Sequence, residues 1–215
     1  MTKRNQLQLA AALVLGAAGF SASAQTTIFT SGAINGTVNG WGITPTYEAA
    51  SSFTLTNPAT IDNATFGLWV STGETLTSVH WAITSSAGGT PLPAAAGTAI
   101  PSVSSLMASD FFGNDIYSES FTIPSIELGA GTYYLQLDHA VATGGALAYW
   151  DENDGPNSLA YYYNTTGSDP WQTYGTASLA FTLSGENSVP EPGTLALAGM
   201  GALVLGRFVR RQAGK

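Results

Sequence analysis

The sequence predicts an all-β fold, an antiparallel two-sheet sandwich of jelly-roll-like form, flanked by an N-terminal signal peptide and a C-terminal transmembrane helix. Short segments alternate apolar and polar residues, Gly, Pro, Asn, Asp and Ser separate these segments, and no amphipathic helix competes with them in the body. The chain therefore divides into three parts: a signal peptide at 1–24, an acidic β-sandwich domain at 25–186 and a membrane-directed segment at 187–215.

Apolar residues at period two predict the individual strands, because alternate residues of a strand share one face. Four sets of alternating apolar residues each mark a strand: Phe66, Leu68 and Val70; Val79, Trp81 and Ile83; Tyr133, Leu135 and Leu137; and Leu179, Phe181 and Leu183. Further strands are expected at 47–55, 116–123, 146–150 and 159–163. The segment 85–101 is rich in Ala, Gly and Pro and is predicted to be a long loop.

The N-terminal residues have the three parts of a secretory signal peptide. Lys3 and Arg4 form the positive region, and a mostly apolar stretch covers 7–20. Small residues end the segment, which predicts cleavage between Ala24 and Gln25.

The C-terminal segment contains a short uncharged stretch at 192–206 followed by basic residues. A helix over this stretch would be about 22 Å long, barely enough for a hydrocarbon core of about 30 Å. Arg207, Arg210 and Arg211 would then hold the end of the chain on the cytoplasmic side and stop its transfer, with the acidic body outside.

Pro190-Glu191-Pro192, the short apolar helix and the terminal arginines together resemble the PEP-CTERM sorting signal of Gram-negative bacteria. The resemblance implies that Pro190, Glu191 and Pro192 are read by an exosortase, a membrane-embedded processing enzyme. It also implies an inner-membrane-tethered intermediate, later release of the helix and basic tail, and a destination beside exopolysaccharide in biofilms. Trp81, 128–135 and 149–151 resemble stretches in the bodies of such proteins, which implies a β-sandwich.

The distribution of charge excludes several classes of function. Between Gln25 and Pro190 the chain has 13 acidic residues, which are all of its 14 except Glu191, and no Lys or Arg. Without a fixed cation to neutralise phosphates, nucleic-acid binding is not expected. The chain has no cysteine, which excludes disulfides, thiol nucleophiles and cysteine metal sites.

The densest group of polar residues is the stretch 149–156. The carboxylates of Asp151 and Asp154 are candidate ligands for Ca²⁺, which binds oxygen atoms, although the spacing does not fit an EF-hand. The alternative is a solvated hairpin loop that turns at 154–156. The sequence leaves both open, and no other cofactor is expected.

Aromatic residues cluster in the same part of the chain. Trp150, Tyr162 and Trp171 are candidates for a glycan-binding platform, since exposed aromatic faces beside polar groups suit sugar rings. The alternative, which the strand pattern favours, is that these rings pack in the core or an interface.

The catalytic inventory is sparse, and no catalytic residue is assigned. Asp138 and His139 are adjacent, so in a regular strand they would point to opposite faces and would not act together. We therefore expect an exported, non-enzymatic protein of the cell surface or extracellular matrix, sorted by an exosortase and associated with exopolysaccharide. The alternatives are a carbohydrate- or Ca²⁺-dependent binding module and, less favoured, a glycan-processing enzyme.

Overall fold

The computed structural model describes residues 25–109, 112–153, 155, 160–164, 171–173 and 178–187; for 160–164 and 173 it describes the backbone. The expected signal peptide at 1–24 and the expected transmembrane helix lie outside this range. No helix in the described part is long and apolar enough to cross a membrane.

Two antiparallel sheets contain the strands of the described residues. In the first sheet, β4 pairs with β8, β14 and β10, β7 pairs with β8, β1 pairs with β14, and β2 and β13 pair with β10. Its strands are β1 (Thr26–Thr30), β2 (Asn39–Gly42), β4 (Ala59–Ser71), β7 (Val103–Ser109), β8 (Asn114–Leu128), β10 (Ala148–Asn153), β13 (Ser178–Leu179) and β14 (Phe181–Asn187).

The second sheet has the strand order β12-β11-β3-β9-β5-β6. Its central strands β3 and β9 are far apart in sequence, and the chain passes repeatedly from one sheet to the other, as it does in jelly-roll sandwiches. Its strands are β3 (Tyr47–Leu55), β5 (Leu76–Thr84), β6 (Pro91–Ala99), β9 (Gly131–Ala142), β11 (Ala160–Asn164) and β12 (Gln172–Thr173).

The core lies between the two sheets and is built from the alternate residues that the sequence pattern marks as apolar. Phe53 of the second sheet packs edge-on against Phe181 of the first, with ring centroids 6.3 Å apart. Trp81 and Phe121 make a second contact between the sheets, at 6.2 Å. Each such side chain, fully buried, contributes about 1.5–3 kcal/mol of hydrophobic free energy, so these contacts hold the sheets together.

The segment 85–101, predicted to be a long loop, contains a strand. Residues Pro91–Ala99 form β6, which pairs with β5 at an edge of the second sheet. Proline is tolerated at an edge because its missing N–H faces no partner strand. The pairing is irregular between Ala82 and Thr84, and within that irregularity Ala94 has a positive φ of 59°. The long loop predicted from the Ala, Gly and Pro content is therefore wrong for residues 91–99.

The remaining strand predictions agree with the structure, except that the set Leu179, Phe181 and Leu183 is divided between β13 and β14. The segment 47–55 is β3, 116–123 lies inside β8, and 146–150 and 159–163 overlap β10 and β11. The predicted all-β, antiparallel two-sheet architecture is confirmed for the described residues.

Candidate functional site

Strand β10 presents its residues alternately to the core and to the outer face of the first sheet. Trp150 faces the core and is fully buried: its ring packs edge-on against Phe66 and Phe181, and its Nε1 donates to the carbonyl oxygen of Ala180 over 2.9 Å. The prediction that Trp150 belongs to an exposed glycan platform is therefore wrong. The preceding residue, Tyr149, is half-buried and lies on the outer face instead.

Asp151 lies in β10 rather than in a loop, and its side chain is fully buried on the outer side of the sheet. Its Oδ1 accepts hydrogen bonds from Trp69 Nε1 at 2.6 Å and from the backbone N–H of Gly36 at 3.1 Å. Its Oδ2 accepts from the backbone N–H of Asn35 at 3.0 Å. Burial raises the pKa of Asp151, and these three hydrogen bonds oppose that rise.

These contacts make Asp151 a structural anchor. The segment that connects β1 to β2 crosses the outer face here, and a Cβ at Gly67 would lie 2.5 Å from the Cβ of Asp151. Asp151 therefore does not lie in an exposed acidic loop, where the sequence had placed it. Asp154, the second proposed ligand, lies outside the described residues. Within the described part, no group of three or more His, Cys, Asp or Glu residues is arranged to hold a metal ion.

An open groove of about 280 Å³ lies beside this anchor on the outer face of the first sheet. It is formed where β2, β4, β8 and β10 meet, and the exposed Phe112 stands at one side. None of the eight residues that line it is charged. The lining includes Asn39, Gly40, Trp69, Asn114, Leu147 and Tyr149.

Sequence reasoning missed this groove, although the strand pattern held a signal for it. Phe66, Leu68 and Val70 were assigned to one face, so the intervening Trp69 had to lie on the other. Tyr149 pairs directly with Trp69 across β10 and β4. The two aromatic residues therefore stand side by side on the outer face, and the sequence offered no way to know that these two strands are neighbours.

The other two predicted platform residues lie elsewhere. Tyr162 belongs to β11 and pairs in register with Ala49 of the second sheet, and its side chain is not described. Trp171 is half-buried and packs over Gly88, where any added side chain would overlap the indole. The structure thus does not bring Trp150 and Trp171 together.

The two histidines of the chain meet at one carboxylate on the second sheet. The Nδ1 atoms of His80 and His139 each lie 2.8 Å from Oδ1 of the buried Asp138. The expectation that Asp138 and His139 point to opposite faces is wrong, because His139 has a positive φ of 45° in a bulge where β5 and β9 fall out of register. Burial and then the negative charge of Asp138 raise the pKa of the neighbouring Glu48.

A second buried carboxyl group lies just behind the edge strand β7. Glu119 is fully buried, its Oε1 accepts a 2.9 Å hydrogen bond from Ser104, and its Oε2 has no partner. Burial raises the pKa of Glu119 to about 7. Perturbed carboxyl groups occur in active sites, but this one is enclosed within the sandwich, so we expect it to affect the pH dependence of stability rather than to take part in chemistry.

The comparison with protein families concerns the C-terminal segment. Residues 188–212 match the PEP-CTERM protein-sorting motif. The chain carries a PEP-CTERM sorting motif. The match includes Pro190, Glu191 and Pro192 and extends beyond Arg211, and it confirms the resemblance to a PEP-CTERM sorting signal.

The PEP-CTERM motif indicates export, a membrane-anchored intermediate and delivery to the surface, and it supports processing by an exosortase. The match covers 25 of 215 residues and leaves the body unassigned. Among curated proteins, none matches the chain. What the sandwich does at its destination must therefore be inferred from the sandwich itself.

Proposed function

We propose that this chain is a non-enzymatic protein of the cell surface or extracellular matrix, which an exosortase-type system delivers to an exterior rich in exopolysaccharide. The PEP-CTERM motif at 188–212 is the observation that carries the proposal, because it links the acidic sandwich to surface sorting. Until processing, the apolar stretch at 192–206 would tether the chain to the inner membrane.

The charge of the body suits such a location. It has 13 acidic residues and no Lys or Arg between Gln25 and Pro190, so copies of the body repel one another and remain dispersed. It offers no fixed positive charge through which it would adhere to nucleic acid or to an anionic membrane surface. Retention in the matrix would then depend on specific contacts rather than on electrostatic attraction.

The groove beside Trp69 and Tyr149 favours a second, related candidate, a carbohydrate-binding module. Aromatic rings flanked by amides on an open sheet face are suited to sugar rings. A carbohydrate-binding function is compatible with a role in the matrix, since a protein that binds polysaccharide would be retained there. The Ca²⁺-dependent form of this candidate loses its main support, because Asp151 is buried and anchored by hydrogen bonds.

The test is the location of the protein in cells that make exopolysaccharide and in otherwise identical cells that do not. We expect the protein to remain in the sheared matrix fraction of the first cells and to appear in the culture medium of the second. An unchanged distribution between fractions would contradict the association with exopolysaccharide. Purified protein incubated with that polysaccharide should also leave its chain length unchanged; shortening would contradict the non-enzymatic role.

A further inference from the structure

The groove on the outer face of the first sheet has an aromatic floor that is held in place. Trp69 is 7% exposed, and its indole N–H is fixed by the 2.6 Å hydrogen bond to Asp151. With so little of its ring accessible, Trp69 forms the fixed base of the groove, and the accessible ring belongs to its neighbour. Tyr149, its half-buried partner in the register of β10 and β4, lines the groove and supplies that ring.

Gly40 keeps the space beside Trp69 and Tyr149 open. A Cβ at that position would lie 3.5 Å from Cδ2 of Trp69 and 2.8 Å from the Cβ of Tyr149. Any larger residue in β2 would therefore stand over the two rings. The absence of a side chain at Gly40 leaves a space of about 280 Å³, at the small end of ligand pockets, which is suited to a short stretch of a sugar chain.

Polar groups that can form hydrogen bonds with sugar hydroxyls border the aromatic surface. Asn39 and Asn114 contribute amides, and Asn39 Oδ1 is oriented by a 2.9 Å hydrogen bond from the N–H of Gly40. A pyranose ring has an apolar face of C–H groups and a rim of hydroxyls. The apolar face packs on an aromatic ring, and the hydroxyls donate hydrogen bonds to amide oxygens and accept them from amide N–H groups.

The absence of charged residues in the groove favours uncharged saccharides. None of the eight lining residues is charged, in a body that has 13 acidic residues and no Lys or Arg. An acidic sugar would find no cation to pair with and would be repelled by the surrounding field. A cationic ligand would find no carboxylate within the groove.

From these observations we infer that the groove between β2, β4, β8 and β10 binds uncharged pyranose residues of a polysaccharide, with Tyr149 as the stacking surface and Trp69 as the buried support beside it. The inference rests on the proposed delivery of the chain to an exopolysaccharide-rich exterior. It makes the groove a point of attachment between the sandwich and the neutral part of that matrix.

The test separates the exopolysaccharide of the producing cells into neutral and acidic fractions by anion exchange. Each fraction is titrated calorimetrically into the full-length chain in a zwitterionic detergent, because a sugar-based detergent would compete. We expect the neutral fraction to bind and the acidic fraction to bind at least tenfold more weakly. Binding of neither fraction, or equal binding of both, would overturn the inference.

Substitutions assign the binding to the groove. Tyr149→Ala is expected to weaken binding of the neutral fraction at least tenfold, and Tyr149→Phe is expected to retain it. Leu147→Ala, at an exposed position of the groove, should weaken binding severalfold without disturbing the fold. Trp171→Ala is the matched aromatic control and should bind as the parent does.

Parental binding by both Tyr149→Ala and Leu147→Ala, or a loss confined to Trp171→Ala, would overturn the assignment. Failure here is distinguishable from failure of the proposed function, because location in the matrix is measured independently in cells. A chain that is sorted to the matrix but has an inert groove would leave delivery intact and remove only this site.

Discussion

Trp69 donates its indole N–H to Oδ1 of Asp151 over 2.6 Å, from β4 to the neighbouring β10. The same carboxylate accepts two backbone N–H groups from the segment between β1 and β2. One buried acidic residue therefore fixes both an aromatic ring of the groove and the chain that crosses the outer face of the sheet. Asp151, which the sequence indicated as a surface metal ligand, is instead a buried residue that positions both of these groups.

We predict that Asp151→Ala lowers the free energy of unfolding by at least about 2 kcal/mol. The substitution leaves Trp69 and two backbone N–H groups without their acceptor in a buried site. Urea unfolding followed by tryptophan fluorescence measures the loss. Asp62→Ala is the matched control: Asp62 accepts an exposed hydrogen bond from Gln25, so we expect a change within about 0.5 kcal/mol. Equal effects of the two substitutions would contradict the anchoring role.

Glu119 should make the protein less stable as the pH rises. Its pKa is raised from an ordinary 4.5 to about 7, so between these values the folded chain holds a proton that the unfolded chain has released. Stability that is present below about pH 4.5 is then lost progressively up to about pH 7, by at most about 3 kcal/mol.

Glu119→Gln tests this contribution because it keeps the shape of the side chain and cannot ionise. Urea unfolding at pH 5 and pH 8 should show a smaller loss of stability in the variant than in the parent. The comparison isolates Glu119, since Asp151 and Glu48, whose pKa values are also raised, are present in both proteins. The same loss in both proteins would show that Glu119 does not titrate in this range.

Ala94 should tolerate glycine better than its neighbours do. Its φ of 59° lies in the left-handed region, which costs a non-glycine residue about 1–2 kcal/mol. Ala94→Gly relieves that strain and loses up to about 1 kcal/mol through greater freedom of the unfolded chain, so we expect unchanged or slightly higher stability. Ala96→Gly, also exposed in β6, has no such strain to relieve and should lose about 0.5–1 kcal/mol. Equal losses would mean that position 94 is unstrained.

The histidine pair yields a prediction about protonation. His80 and His139 both direct Nδ1 at Oδ1 of Asp138, and a carboxylate oxygen at this distance requires a donor. When neutral, both imidazoles should therefore carry their proton on Nδ1. Long-range ¹H–¹⁵N correlation spectra at alkaline pH distinguish the two tautomers, and the urea-unfolded chain serves as the reference. An Nε2–H tautomer at both residues would contradict this geometry.

The sequence was sufficient to predict the fold class because period-two alternation is a local property. The segment 47–55 is β3, and Phe66, Leu68 and Val70 point to the core as expected. Strand β6 was missed because an edge strand with a bulge tolerates the Pro and Ala that elsewhere indicate a loop. Composition is a weak guide where only one side of a strand is paired.

The candidate site was less predictable, for two physical reasons. Neighbouring side chains in a strand point to opposite faces. Trp150, the residue predicted for the aromatic platform, therefore lies in the core, whereas the adjacent Tyr149 lies on the surface. The neighbours of a strand, by contrast, are set by contacts distant in sequence, such as the pairing of Tyr149 with Trp69. The bulge that turns His139 towards Asp138 likewise has no local signature in the sequence.

The central claim, that the C-terminal motif sends an otherwise unassigned sandwich to the cell surface, is tested most directly by the mass and location of the protein in cells. The comparison is between the parent chain and the variant in which Pro190, Glu191 and Pro192 are all replaced by alanine. We expect the parent at the surface or in the matrix without its C-terminal segment, and the variant at its longer mass in the inner membrane. The same mass and the same location for both proteins would contradict the claim.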